Sequence, residues 1–264
     1  MTELLVGGPG ALERAAGAVR TKARRLALGE LRLLAPVPRP PKVLALGMNY
    51  AAHVAELGRE PPEDQVWFNK QRTCVIGPGS PIEIPAVSNM VDYEGELAFV
   101  IGRTARQVPA AEAHSFIAGF TVMNDVSVRD WQWRSPTWTT GKSFDTHGPL
   151  GPSLVTGDEI EDPGALRVRT WVNDELRQDG NTEDMIFDCA AMVELLSTAC
   201  TLEPGDVVTT GTPPGVGASF DPPRWLVPGD VVRIEIEQVG VLENPVVGPR
   251  SGASGPPAPR PARG

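Results

Sequence analysis

The sequence predicts a mixed α/β, β-rich fold, and three observations carry that expectation. Its 264 residues include 28 Gly and 27 Pro, a density of turn formers that leaves little room for long helices. Runs with alternating apolar positions recur, DVVRIEIEQVG among them, and such alternation marks a strand with one buried face. Two valine-rich runs, DVVTTGT and DVVRIEIEQVG, each begin at the Asp of a PGD turn, a repeated structural device rather than a true sequence repeat.

Residues 11–33, rich in Ala, Leu and Arg, predict helix or a mixed lead-in within an N-terminal segment 1–40. The proline-rich PVPRPPK at 36–42 marks the boundary to a body spanning 41–247. KVLALG predicts a short buried strand, and NYAAHVAELG one or two helical turns stopped by Gly58. Strands are then predicted at VWFNK, VDYEGELAFVIG, FIAGFTVMND, SLVTG, LRVRTWVND and the two valine-rich runs, with helix chiefly at AAEAHSFIAG and MIFDCAAMVELLSTA. From 248 to 264, GPRSGASGPPAPRPARG has too little apolar surface to offset its ordering entropy, which predicts a disordered tail.

The formal charge of -9 is uneven: basic side chains gather in the first forty residues and in the tail, leaving a strongly acidic body. Such a body repels nucleic acid and anionic membranes, so neither is expected as a partner. Any small anionic substrate must be held by a local cation. No apolar run approaches the roughly 18 residues of a membrane span, and the N-terminus lacks a signal-peptide pattern. The Arg-rich start resembles a mitochondrial transit peptide, but Glu3, Glu13 and Glu30 interrupt it and no serine precedes residue 40. The expected compartment is cytoplasmic. Cys74, Cys189 and Cys200 are odd in number and lack metal-ligand spacing, so they are expected to be buried free thiols.

Candidate chemistry starts at VDYEGELAFVIG. Side chains two apart on a strand share a face, so Asp92, Glu94 and Glu96 project together while Tyr93, Leu97, Phe99 and Ile101 fill the other side. Acids so crowded are either solvated or neutralised by protons or a cation. Asp125, where the strand FTVM ends in ND, supplies a third carboxylate, though it could equally cap a turn or helix before VSVRDW. Glu94, Glu96 and Asp125 together form an all-oxygen, half-filled shell that suits Mg²⁺ or Mn²⁺, with Ca²⁺ as a further candidate.

Only four lysines occur, at 22, 42, 70 and 142. Lys142, set among Gly, Ser and Thr, is either a loop charge or an ammonium facing a carboxylate or developing enolate. His53 and Glu56 share a helix face, as a surface pair or as a carboxylate-oriented general base. TTGTPPGVG at 209–217 is either a tight turn or a loop whose N–H groups and Thr212 hydroxyl grip a carboxylate. His114 is read as helix surface and His147 as loop.

The motifs NYAAHVAE, FNKQRTCVIGPGSPI, YEGELAFVIG, NDVSVRDWQ, GKSFDTHGPLGP and TGTPPGVG, in that order over 41–247, resemble the fumarylacetoacetate hydrolase family. The resemblance implies a β-roll catalytic domain, a homodimer, and Mg²⁺ or Mn²⁺ chemistry on small anionic 2-oxo acids. It makes Glu94, Glu96 and Asp125 metal ligands, His53 and Glu56 the water-activating pair, Lys142 catalytic, and Lys70, Gln132 and Thr212 substrate contacts. The expected reaction is C–C hydrolysis of a 2,4-dioxo acid of the acylpyruvate or fumarylpyruvate class. Decarboxylation of an oxaloacetate-like acid, or isomerisation or tautomerisation of a 2-hydroxydienoate, are the alternatives on the same metal site. His147 replaces an aromatic residue frequent in that family, and Trp131, Trp133 and Trp138 make the segment before Lys142 bulky. Both leave the substrate open, and the first forty residues fall outside the motifs.

Overall fold

The computed structural model describes residues 2–21 and 26–249. Helices α1 (Thr2–Val6) and α2 (Gly8–Arg20) open the chain, followed by β1 (Val43–Gly47), α3 (Ala51–Glu56) and β2 (Val66–Lys70). Three two-residue strands come next, β3 (Val75–Ile76), β4 (Ile82–Glu83) and β5 (Val91–Asp92), before the longer β6 (Gly95–Ile101). Then follow α4 (Ala110–Ala113), β7 (Ile117–Asn124), β8 (Ser127–Val128), α5 (Arg129–Gln132), α6 (Thr139–Lys142) and β9 (Gly148–Val155). β10 (Arg167–Val172), β11 (Glu175–Asn181), α7 (Cys189–Ala199), β12 (Val207–Thr209), β13 (Val231–Ile236) and β14 (Gly240–Val247) complete the order.

A seven-stranded sheet runs β2-β1-β12-β6-β7-β9-β3, a five-stranded sheet runs β11-β10-β13-β14-β4, and β5 pairs with β8 alone. Mixed pairing and strand predominance agree with the β-rich α/β expectation. β6 is buried along its whole length because both of its faces are covered. Leu97, Phe99 and Ile101 join Phe120, Val168, Ile234 and Leu242 in the core between the sheets. Ala98 and Val100 point the other way, against Val43, Val207 and Leu150, where Leu5, Ala35 and Val37 of the N-terminal segment seal the outer face. The lead-in is thus helical at α2 and contributes to the core.

Several predicted elements change at their ends. VDYEGELAFVIG is two strands in different sheets, broken at Tyr93 and Glu94, because the Glu94 N–H donates to the Asn124 side chain at 3.1 Å instead of to a strand carbonyl. AAEAHSFIAG keeps helix only over α4 and one 3₁₀ turn, with IAG entering β7. MIFD stays outside α7, since Asp188 caps that helix by accepting from the Ala191 N–H at 2.7 Å. The strands β11 and β14 were not anticipated.

Both PGD turns are built alike. Gly205 and Gly229 adopt φ of 91° and 102°, and Asp206 and Asp230 accept from the N–H three residues earlier, at 2.7 and 2.9 Å. Cys74 and Cys189 are buried free thiols, but Cys200, at the exposed end of α7, corrects the expectation that all three are buried. No described helix is long and apolar enough to cross a membrane. The tail predicted for 248–264 lies almost wholly outside the described residues.

Candidate active site

The antiparallel pairing of β6 with β7 sets Gly95 opposite Asn124, so the start of one strand and the end of the next meet at one sheet edge. That register brings Glu94, Glu96 and Asp125 together, with one oxygen of each within 4.8 Å of the others. All three are buried. Asp92, expected on the same face, is instead held apart by the Arg129 guanidinium and by the N–H groups of Gly217 and Ala218.

The charges around the cluster are almost matched. Lys142 Nζ sits 2.6 Å from Glu94 and 2.8 Å from Asp125, Lys70 Nζ lies 2.6 Å from Asp125, and Arg129 bridges Glu94 at 2.7 Å and Asp92. Four carboxylates therefore face three cations, and Glu96 is the one without a cationic partner. Among the described residues it accepts only from the Thr209 hydroxyl and from the Gly211 N–H at 3.1 Å. Burial, then the Asp125 and Glu94 charges, push its carboxyl well above the usual range. Burial also pushes Glu94 up, but Lys142 and Arg129 outweigh it and hold that carboxyl down at about 2. For Lys142, burial pulls the ammonium down while Asp125 and Glu94 raise it further, leaving a net upward shift.

His53 lies beside this cluster on α3. Its Nδ1 is 2.8 Å from Glu56 Oε2, and Glu56 Oε1 accepts from the Gly215 N–H at 2.9 Å. Burial raises the Glu56 carboxyl, yet the bonds from His53 and Gly215 bring it below the ordinary range. His53, Glu94, Glu96, Gln132, Lys142 and Thr212 all line one cavity of about 240 Å³. Asp125 and Lys70 do not line it. Lys70 is buried behind Asp125 and also donates to the Val126 carbonyl at 3.3 Å.

The loop 209–218 does grip carboxylates, but they are the protein's own: Glu96, Glu56 and Asp92 each receive its N–H groups. Thr212 reaches the cavity wall with its hydroxyl engaged, donating to the Gly95 carbonyl at 3.0 Å and accepting from Gln178 at 2.8 Å. His114 is exposed on its 3₁₀ turn. His147 lies in a loop, fully buried against Phe144, with Nε2 2.9 Å from the Glu83 carbonyl; burial pulls its pKa down to about 4.

Residues 42–247 match the fumarylacetoacetate (FAA) hydrolase C-terminal family. This chain belongs to that family. Over 249 residues it is 45% identical to a mitochondrial oxaloacetate tautomerase of Xenopus laevis, covering 94% of this chain and 78% of that protein. A solved structure from Mycobacterium smegmatis, described as a 5-carboxymethyl-2-hydroxymuconate delta-isomerase, is 46% identical with a TM-score of 0.77, over 86% of each chain. A maleylpyruvate hydrolase from Sphingobium, solved with manganese(II) and pyruvate, is 34% identical with a TM-score of 0.80, over 94% of this chain and 86% of that one.

Fumarylacetoacetate hydrolase family members are divalent-metal enzymes, and the residues here fit such an ion. The carboxylate set is hard and all-oxygen, and Glu96 is the surplus negative charge a dication would relieve. Reading the sequence missed the supporting residues. Arg129, four after Asp125, holds Glu94 and leaves Gln132 Oε1 at 2.9 Å as a third acceptor. Gln178 on the unanticipated β11 bonds both the Gly95 N–H and Thr212, stapling the two sheets beneath the cavity. Asn49 clamps Phe187 and the Thr210 carbonyl. Arg129 and Asn49 lay within quoted motifs without a role being read for them, and nothing local marked Gln178, whose partners Gly95 and Thr212 are more than thirty residues away.

Proposed function

We propose that this protein catalyses keto–enol tautomerisation of a small 2-oxo acid. The observation that carries this reading is a proton carrier, His53 oriented by Glu56, lining the same small cavity as Glu94, Glu96 and Lys142. Tautomerisation asks for no more than that: one proton leaves C3 and one arrives at the 2-oxo oxygen, or the reverse, with no bond to water. The similarity to an oxaloacetate tautomerase over nearly the whole chain supports it.

Glu94, Glu96 and Asp125 would hold Mg²⁺ or Mn²⁺, whose Lewis acidity makes the C3 proton of a chelating 2-oxo acid easier to remove. With Nδ1–H donating to Glu56, His53 keeps Nε2 free to accept that proton. Lys142 sets a positive charge where enolate charge develops. Gln132, its carbonyl oxygen engaged by Arg129, keeps its amide N–H groups for substrate oxygens. Lys70 fixes Asp125 from behind rather than touching substrate.

A second reading, hydrolysis of a 2,4-dioxo acid by water activated at His53, is favoured by the same pair and by the similarity to a maleylpyruvate hydrolase. One experiment separates them. Enolic oxaloacetate and acylpyruvates are mixed with protein and Mg²⁺ or Mn²⁺ while enol absorbance, pyruvate and CO₂ are followed together. Faster enol decay without pyruvate or CO₂ is the expected result. Pyruvate release from acylpyruvates while the oxaloacetate enol decays at its uncatalysed rate replaces it with hydrolysis, and CO₂ release would make the protein a decarboxylase.

A further inference from the structure

We infer that Arg59 selects substrates carrying a second carboxylate at the end far from the 2-oxo group, so that the substrate class is a 2-oxo dicarboxylate. This rests on the tautomerase reading for the chemistry, but on separate residues for the selection.

Three basic side chains line the cavity, Arg59, Arg129 and Lys142. Arg129 and Lys142 are matched by the acids of the protein itself. Arg59 has no carboxylate within ion-pair distance among the described residues, and its guanidinium donates to Met48 Sδ at 3.6 Å. Arg59 is exposed at the rim of this cavity with no acid against it among the described residues, and in a chain with net charge -9 its natural counter-ion there is a ligand anion. Its position is fixed rather than free-swinging at the backbone. Gly58, at φ 63°, ends α3, and the Arg59 N–H donates to the Val54 carbonyl at 3.1 Å, so Arg59 hangs from the turn that carries His53.

The acids are buried at the floor of the cavity and Arg59 is exposed at its rim, and apart from His53, Gln132 and Thr212 much of the remaining lining is apolar. Met48, Leu57, Phe68, Trp133 and Trp138 belong to it, and the Trp138 ring lies so close to Gly47 that a Cβ there would come within 2.4 Å of it. A substrate that spans this cavity therefore meets charge at its two ends and carbon in between. One carboxylate with its 2-oxo group belongs at the floor, and the second meets the guanidinium at the mouth. A cavity of about 240 Å³, below the usual range of ligand pockets, keeps such a molecule short.

The test compares oxaloacetate with 2-oxobutanoate, which has a methyl group in place of the far carboxylate, on wild type, Arg59→Met and Arg59→Lys. Binding is read by thermal stabilisation with Mg²⁺ present, and turnover of oxaloacetate separately. Wild type should prefer oxaloacetate, the preference weakening with added salt. In Arg59→Met that preference should fall about tenfold, the scale of a lost hydrogen bond to a charged group discounted for exposure. For oxaloacetate the loss should appear in KM rather than kcat, and Arg59→Lys should restore much of it. Equal preference in wild type and Arg59→Met overturns the inference, whatever the turnover. Lost preference in a protein that does not tautomerise oxaloacetate keeps it and overturns the reaction assigned above.

Discussion

The floor and the mouth of the cavity are built on opposite terms. At the floor, every charged group except Glu96 is buried and matched by another charge of the protein, and the backbone of two paired strands fixes the geometry. At the mouth, Arg59 and Trp133 are exposed, the latter by 65%, and Arg59 has no acid against it among the described residues. Buried, paired charges cannot be rearranged cheaply, so the floor sets which reaction is accessible. Exposed side chains around an apolar wall can change without endangering the fold, so the mouth sets which molecule is accepted.

The strongest way to break that division is at the floor. Glu96→Gln removes the unpaired carboxylate, so turnover should fall below detection and metal-linked stabilisation should vanish. In wild type that stabilisation amounts to about 2.7 kcal/mol at a metal concentration a hundred times Kd, readable by thermal unfolding with and without Mg²⁺ or Mn²⁺. Unchanged stabilisation in the variant would remove Glu96 from the metal set.

His53→Ala should lower turnover by about 10² to 10⁴ while leaving the metal-linked stabilisation intact. A combined loss of both would mean that the dyad supports the cluster structurally, and the boundary between proton carrier and floor would disappear.

Behind the floor, His147 predicts a pH effect on stability rather than on substrate choice. Its pKa is pulled from 6.5 to about 4 by burial. Between those values the unfolded chain takes a proton that the native state refuses. The contribution is therefore full above pH 6.5 and is lost as pH falls toward about 4, by up to about 3 kcal/mol. His147→Phe, which keeps an aromatic ring beside Phe144, should flatten the fall by that amount in denaturant titrations at pH 7 and pH 4.5. An unchanged fall would assign it to other groups.

The smallest effect belongs to the mouth. Trp133→Ala should raise KM for a bound 2-oxo acid about two- to fivefold, because an exposed ring gives up little of its buried area, and kcat should stay nearly level. A kcat collapse would show that the mouth takes part in the chemistry.

The division also explains what could be read from the chain. Glu94 and Glu96 announce themselves because two acids at strand spacing inside an apolar run are costly unless they have a purpose, and His53 with Glu56 shares a helix face by spacing alone. Asp125, at a strand end, was equally open to a capping role until the register of β6 with β7 set it beside Glu94 and Glu96. Lys70 shows the limit: its motif marks it, yet it stands behind Asp125 and not in the cavity. Arg59 shows the reverse, being an unremarkable arginine after a glycine whose importance lies in what it fails to touch.

By itself the sequence determined the β-rich class, the shared face of Leu97, Phe99 and Ile101 on β6, the PGD turns and which carboxylate, imidazole and ammonium groups were candidates for the floor. These follow from local spacing and from the energetic conflict of charge in apolar surroundings. Tertiary structure alone decided that Asp92 is held apart from the cluster by Arg129, that Gln178 staples the two sheets, that Leu5, Ala35 and Val37 close the outer face, and that Arg59 meets the cavity without an acid partner. Each of those depends on contacts between residues far apart in the chain, where pairing register and packing, not local propensity, choose the neighbour.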